Sequence, residues 1–140
     1  MSESLVPTTL AMLLCDSVIV DEMTKKKSLI GVFEDVNAVG FPTQLNCALY
    51  AKLVDAEGEY DFKIRLVDLK DESLVTELPS ARAVIPSRLR AAELAINLIG
   101  LPIPQAGKYE FQLYANDMYL ARITMEAKQV QPGGTPWPRQ

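Results

Sequence analysis

The chain has no histidine in 140 residues. Imidazole is the commonest general base, proton shuttle and metal ligand near neutral pH, so its absence removes histidine-based triads, Cys-His pairs and the usual zinc sites together. Cysteine is nearly as scarce: Cys15 and Cys47 form no CxxC spacing, which leaves neither a thiolate metal centre nor an activated thiol with support. Both lie in apolar, strand-like runs, where a small hydrophobe in the core is the plain reading and a disulfide across two sheets the alternative. A basic stripe is missing too. The net charge is -4, which argues against nucleic acid and anionic membrane surfaces as partners. The only cationic run, Lys25-Lys26-Lys27, reads as a solvated turn, with a phosphate or partner contact as the alternative. No apolar stretch approaches the roughly 18 residues of a membrane span, and helical periodicity is almost absent.

What the chain does have is hydrophobic alternation of period two, in short blocks separated by turn chemistry. Residues 9–21 form the first block. Leu10 to Cys15 resembles the apolar part of an export signal, but Glu3 precedes it without any Lys or Arg. Leu14 stands before Cys15 where a processing peptidase needs a small residue, and the run continues through Val18, Ile19 and Val20. It reads as a buried first strand, and the expected location is cytoplasmic. A polar link from Glu22 to Lys27 leads to Ser28–Phe33, and the segment Asn37–Pro42 then breaks the pattern. Leu45, Cys47, Leu49, Ala51 and Leu53 share one face of the next block, Asp55–Gly58 makes a hairpin turn, and Tyr60, Phe62, Ile64 and Leu66 point inward from the cleanest strand. Asp68–Glu72 closes another hairpin, Pro79 weakens the strand Leu74–Leu78 or confines it to an edge, and residues 80–91 are ambiguous. Ala92–Ile99 alternates again through Leu94, Ile96 and Leu98.

Gly107-Lys108-Tyr109-Glu110-Phe111-Gln112-Leu113 is the most specific local motif. A glycine, a tyrosine and inward hydrophobes entering a late strand match the tyrosine corner of immunoglobulin-like sandwiches, with the ring in the core and the hydroxyl bonded back to a loop. Asn116-Asp117 turns the chain into a last strand, Tyr119–Ala127, in which Leu120 is out of step and marks a bulge. Residues 128–140 hold prolines and a glycine pair without apolar pattern and are expected to be disordered; Trp137, between two prolines, is either part of that loose tail or docked.

About eight strands at such spacings give an all-β fold, a two-layer antiparallel β-sandwich, Ig-like or C2-like. Residues 1–8 form a flexible N-terminus, 9–127 the domain and 128–140 the tail. The set Leu14-Cys15-Asp16, Asp21, Thr24, Lys26, Ser28–Phe33, Phe41-Pro42, Gly58, Tyr60, Gly107, Tyr109, Phe111 and Leu113 resembles a family of small bacterial proteins without assigned function, over residues 10–127. The resemblance implies a bacterial β-sandwich and carries no catalytic residue.

Acidic residues at turns (Asp16, Asp21, Asp55, Glu57, Asp68, Asp71, Glu72 and Asp117) suit the calcium loops of a C2-like domain, but no dense DxD pattern occurs. A glycosidase pair of carboxylates lacks an aromatic platform. Asp16, inside an apolar run, needs a partner, and Asp21, Thr24 and Lys26 are near in sequence. Val54, Val67, Ile99 and Tyr114 fall on nominally outward positions. The expectation is therefore a non-enzymatic interaction or assembly module, a homo-oligomer or one bound to a protein partner, with those eight residues as the candidate patch. It needs no metal or cofactor and binds no nucleic acid or membrane. The alternative is a small-ligand or calcium-binding sandwich.

Overall fold

The computed structural model describes residues 4–78 and 81–132. Strands β1 (Thr8–Val20), β2 (Lys27–Phe33), β4 (Thr43–Val54) and β8 (Ala92–Ile103) form one sheet in the order β2-β1-β4-β8. The second sheet has the order β3-β10-β9-β5-β6, from β3 (Asp35–Ala38), β10 (Met118–Gln129), β9 (Gly107–Ala115), β5 (Gly58–Asp68) and β6 (Ser73–Glu77), with β7 (Ala81–Ile85) also on β5. Pairing is antiparallel except between β3 and β10. Among the described residues there is no helix, and none long and apolar enough to cross a membrane.

The fold is the expected all-β sandwich, with ten strands among the described residues in place of about eight. The two additional strands lie where the sequence is least regular. β3 carries Asp35 and Asn37, poor strand formers, and is held by pairing with β10. β7 resolves the ambiguous stretch after residue 80. β8 also runs past Ile99 through Gly100, at φ +66°, whose amide donates to Asn46 Oδ1 at 2.7 Å across a register shift in β4. The expected bulge at Leu120 is present as a shift between Tyr119 and Ala121.

Between the sheets the core packs Tyr60, Phe62, Ile64 and Leu66 of β5 with Tyr109, Phe111 and Leu113 of β9 and Leu49 and Leu53 of β4. Tyr109 forms the tyrosine corner: its hydroxyl donates to the Gln105 carbonyl oxygen at 2.5 Å and accepts the Gln105 amide at 3.1 Å. Tyr60 builds a second corner that the sequence reading missed, donating to the Leu5 carbonyl oxygen at 2.6 Å and accepting the Glu57 amide at 2.8 Å. Leu5 in turn donates to the Glu57 carbonyl at 3.1 Å, and Ser4 to that of Glu59 at 3.0 Å. Residues 4 and 5, expected in a flexible N-terminus, are thus stitched to the β4–β5 turn.

Cys15 and Cys47 are both free and buried, so the disulfide alternative falls. Pro79, expected to weaken its strand or hold it at an edge, and Trp137, expected in a loose tail with docking as the alternative, lie outside the described residues, whereas Lys128 and Gln129, expected in that tail, close β10.

Candidate functional site

The β1–β2 hairpin leaves the body of the sandwich. β1 pairs with β4 only as far as Cys15 opposite Ala48, whereas its pairing with β2 runs on to Val20 opposite Lys27. If this arm continued straight, Lys27 would stand nine residues, or roughly 30 Å, beyond the level of Ala11, Lys52 and Glu93. Instead Lys27 Nζ lies 3.2 Å from Glu93 Oε1. The arm therefore turns back across the outward side of β4. That explains a second buried set: Cys15, Ala48 and Tyr50 lie outside the core cluster yet are 0, 0 and 9% exposed.

Tyr50 donates its hydroxyl hydrogen to the same Glu93 carboxylate. Burial, and then that carboxylate, push the Tyr50 phenol up to about 12. The Tyr50 bond, and after it Lys27, hold the Glu93 carboxyl below its ordinary value. Just past the last β1–β4 pair, Gly31 takes φ +69° beside Asp16, whose carboxylate occupies the space a Cβ would need.

The arm presents apolar surface to solvent. Ile19, Ile30 and Val32 share one side by register and are 54, 46 and 53% exposed, and Met23 at the tip is 92% exposed. Among the described residues β2 is also an open edge, paired with β1 alone. Natural sheets guard such edges with charge, proline or brevity. β8, the opposite edge, carries Glu93 and Pro102, and β3, β6 and β7 are only four to five residues long. β2 has seven residues and, after Lys27, neither charge nor proline.

The eight residues singled out from the sequence do not form one patch. Asp16 is exposed and needs no buried partner. Asp21 caps the arm's turn, its Oδ1 accepting the amides of Met23 at 2.9 Å and Thr24 at 2.8 Å, which lowers its pKa. Thr24 accepts the Lys26 amide at 3.3 Å. Val54 is half-buried opposite Thr8, and Ile99 is an exposed residue of β8. Val67 was expected outside and is only 9% exposed, shielded by Glu110 and Leu74 on its flanking strands. Tyr114 is half-buried on the other sheet, with the Arg65 guanidinium 5.8 Å from its ring centre, in a polar row with Gln112 and Glu110. Of the exposed residues that matter, Ile19 falls in the run expected to be a buried first strand, and Ile30 and Val32 in a block expected only to be a strand, because alternation marks a strand without saying whether anything covers it.

Two other arrangements bear on chemistry. A cleft of about 330 Å³ opens beside β7, lined by Ala83, Ile85, Pro86, Arg90 and Leu94 among others. The turn acids lie apart, Asp68 accepting the Lys70 amide at 3.0 Å and Asp71 that of Ser73 at 3.1 Å. Among the described residues no three Asp, Glu or Cys side chains converge as a calcium site would require.

Comparison with known proteins agrees on architecture. Two crystal structures of β-glucosidase from Listeria innocua, one with isofagomine, superpose with TM-scores of 0.53 and 0.52 at 10% identity, covering 94% of this chain. This chain spans only 17% of the length of those chains, so the likeness is one of fold. An immunoglobulin-like protein from Pseudomonas aeruginosa superposes with a TM-score of 0.42 at 11% identity, over 87% of this chain and 96% of that one. No curated protein matches in sequence. The family of unknown function DUF6941 matches residues 10–128, nearly the whole sandwich, and the chain belongs to that family.

Proposed function

We propose that this protein is a non-enzymatic interaction module that binds another protein chain through the open edge of β2. The observation that carries the reading is the combination on one strand of backbone groups that no other strand pairs among the described residues and the exposed Ile30 and Val32. An added strand satisfies the backbone while its side chains cover the apolar row. A bacterial cytoplasmic setting goes with it: the two unpaired thiols suit a reducing compartment, and the family resemblance is bacterial. The test is a photo-crosslinking residue placed at Ile30 of the full chain inside the native cell, with Lys70 as control position. A discrete protein adduct from Ile30 and none from Lys70 supports the reading; equal labelling or no adduct at Ile30 removes it.

A second reading is a small amphipathic acid in the cleft beside β7, favoured by its volume of about 330 Å³ and by Arg90 among its lining residues. A thermal-shift panel of such acids, with Arg90→Ala as control, should raise melting for the native chain alone. Identical behaviour of the two proteins discards it.

A further inference from the structure

We infer that the chain seated on β2 is a second copy of this protein, joined by antiparallel β2–β2 pairing about a two-fold axis at Ile30. This rests on reading β2 as an interaction edge, and names its partner. The argument comes from charge order along the strand. Lys25, Lys26 and Lys27 precede the uncharged stretch Ser28–Phe33, and Glu34 and Asp35 follow it. Laid antiparallel on itself, this segment brings cations against anions at both ends. Lys26 of each copy faces Glu34 of the other, Ser28 faces Val32, and Ile30 meets its own twin. A parallel copy in register would oppose like charges, so the strand encodes both its partner and the direction of approach.

The charges at issue are also unspent. Within the chain Lys27 is taken by Glu93 at 3.2 Å and Asp35 by Lys128 at 3.0 Å. Lys26 and Glu34 are exposed and form no ion pair among the described residues. Two-fold pairing uses the same surface twice, buries Ile30 and Val32 of both copies and closes the weakest-guarded edge of the sandwich. The four-stranded sheet becomes one continuous sheet across both copies.

Sedimentation of the full chain at micromolar concentration is expected to give twice the monomer mass. Lys26→Glu and Glu34→Lys should each weaken association about tenfold, because each substitution turns two opposite-charge contacts of the dimer into like-charge ones. An equimolar mixture of the two variants should recover the native affinity, since in the mixed dimer both contacts are again opposite in sign. Both substitutions lie at exposed positions, so unchanged melting and circular dichroism certify the fold; Ile30→Lys, which places a charge at the axis, should give monomer. A native chain that stays monomeric at hundreds of micromolar, or variants that fail to complement each other, overturns the inference. If the Ile30 crosslink then joins a different protein, the interaction reading survives without self-pairing; if Ile30 joins nothing, both fall.

Discussion

Lys27 and Glu93 stand on the two opposite edge strands of one four-stranded sheet and are nevertheless ion-paired at 3.2 Å. The contact pins the β1–β2 arm across β4, with Tyr50 bonded to the same carboxylate from below. Partly exposed ion pairs contribute about 0–1 kcal/mol, while a hydrogen bond to a charged group contributes about 1.5–3 kcal/mol, so the Tyr50 bond is the larger part. Glu93→Gln is expected to cost about 1–2 kcal/mol in denaturant unfolding. It should speed amide exchange in β2 more than in β9; equal acceleration in both would mean that Glu93 does not hold the arm. The pH dependence follows from the sign of the shift. A carboxyl held below its ordinary 4.5 contributes stability above that pH and loses it as the pH falls through the depressed folded value. The gap between native and Glu93→Gln proteins should therefore close below about pH 4.5.

The two tyrosine corners make separate predictions. Tyr109→Phe leaves the Gln105 amide and carbonyl without their partner, both within one loop, and should cost about 1–2 kcal/mol. Tyr60→Phe breaks bonds to Glu57 and also to Leu5, 55 residues away in sequence. Its loss should be of similar size but should also release the N-terminal segment, seen as proteolysis ahead of β1. Intact N-terminal protection in Tyr60→Phe would show that Ser4 and Leu5 are held by their own backbone bonds alone.

What was readable in the sequence was what depends on local pattern. Period-two alternation located Tyr60–Leu66, and the Gly107-Lys108-Tyr109 sequence located a corner whose partner is only four residues away. Tyr60 looked like an ordinary core residue because its acceptor, Leu5, is distant in the chain. Asp35–Ala38 was invisible as a strand because its stability comes from β10 rather than from its own residues. The candidate patch failed for the same reason. Outwardness along a strand follows from alternation, but whether a neighbour covers the residue is a tertiary fact, so buried Val67 was nominated and exposed Ile30 overlooked.

Burial of Cys47 should make the protein alkali-sensitive. Desolvation first, then the nearby Cys15 and Asp16, push its thiol up to about 12 from an ordinary 9.0. The unfolded chain ionises this thiol first, so its contribution is intact below pH 9.0 and is lost as the pH rises toward about 12. Tyr50, raised from 10.0 to about 12, acts in the same direction from pH 10.0 upward. Urea unfolding should find the native protein losing more stability between pH 8 and pH 10.5 than Cys47→Ala does. Parallel losses would assign the alkaline limb to other groups. Thiol titration should find both cysteines slow to react until the chain is denatured.

Gly31 carries two separable constraints, and a double-mutant cycle should divide them. Its φ of +69° is costly for any residue with a Cβ, by about 1–2 kcal/mol. A Cβ there would also lie 2.2 Å from Asp16 Oδ2, an obstacle that an exposed side chain can relieve by rotating. Gly31→Ala should thus destabilise the native protein by somewhat more than the backbone cost alone. In an Asp16→Ala background the same substitution should cost less, with about 1 kcal/mol remaining, because removing the carboxylate takes away the two closest atoms, leaves only the Asp16 Cβ position at 3.2 Å, and does not change the backbone. A cost that vanished in that background would mean the arm readily adopts another backbone at Gly31. Since Gly31 sits within β2, the damage should concentrate there: faster amide exchange from Lys27 to Phe33 and weaker self-association, with the Tyr109 corner unaffected.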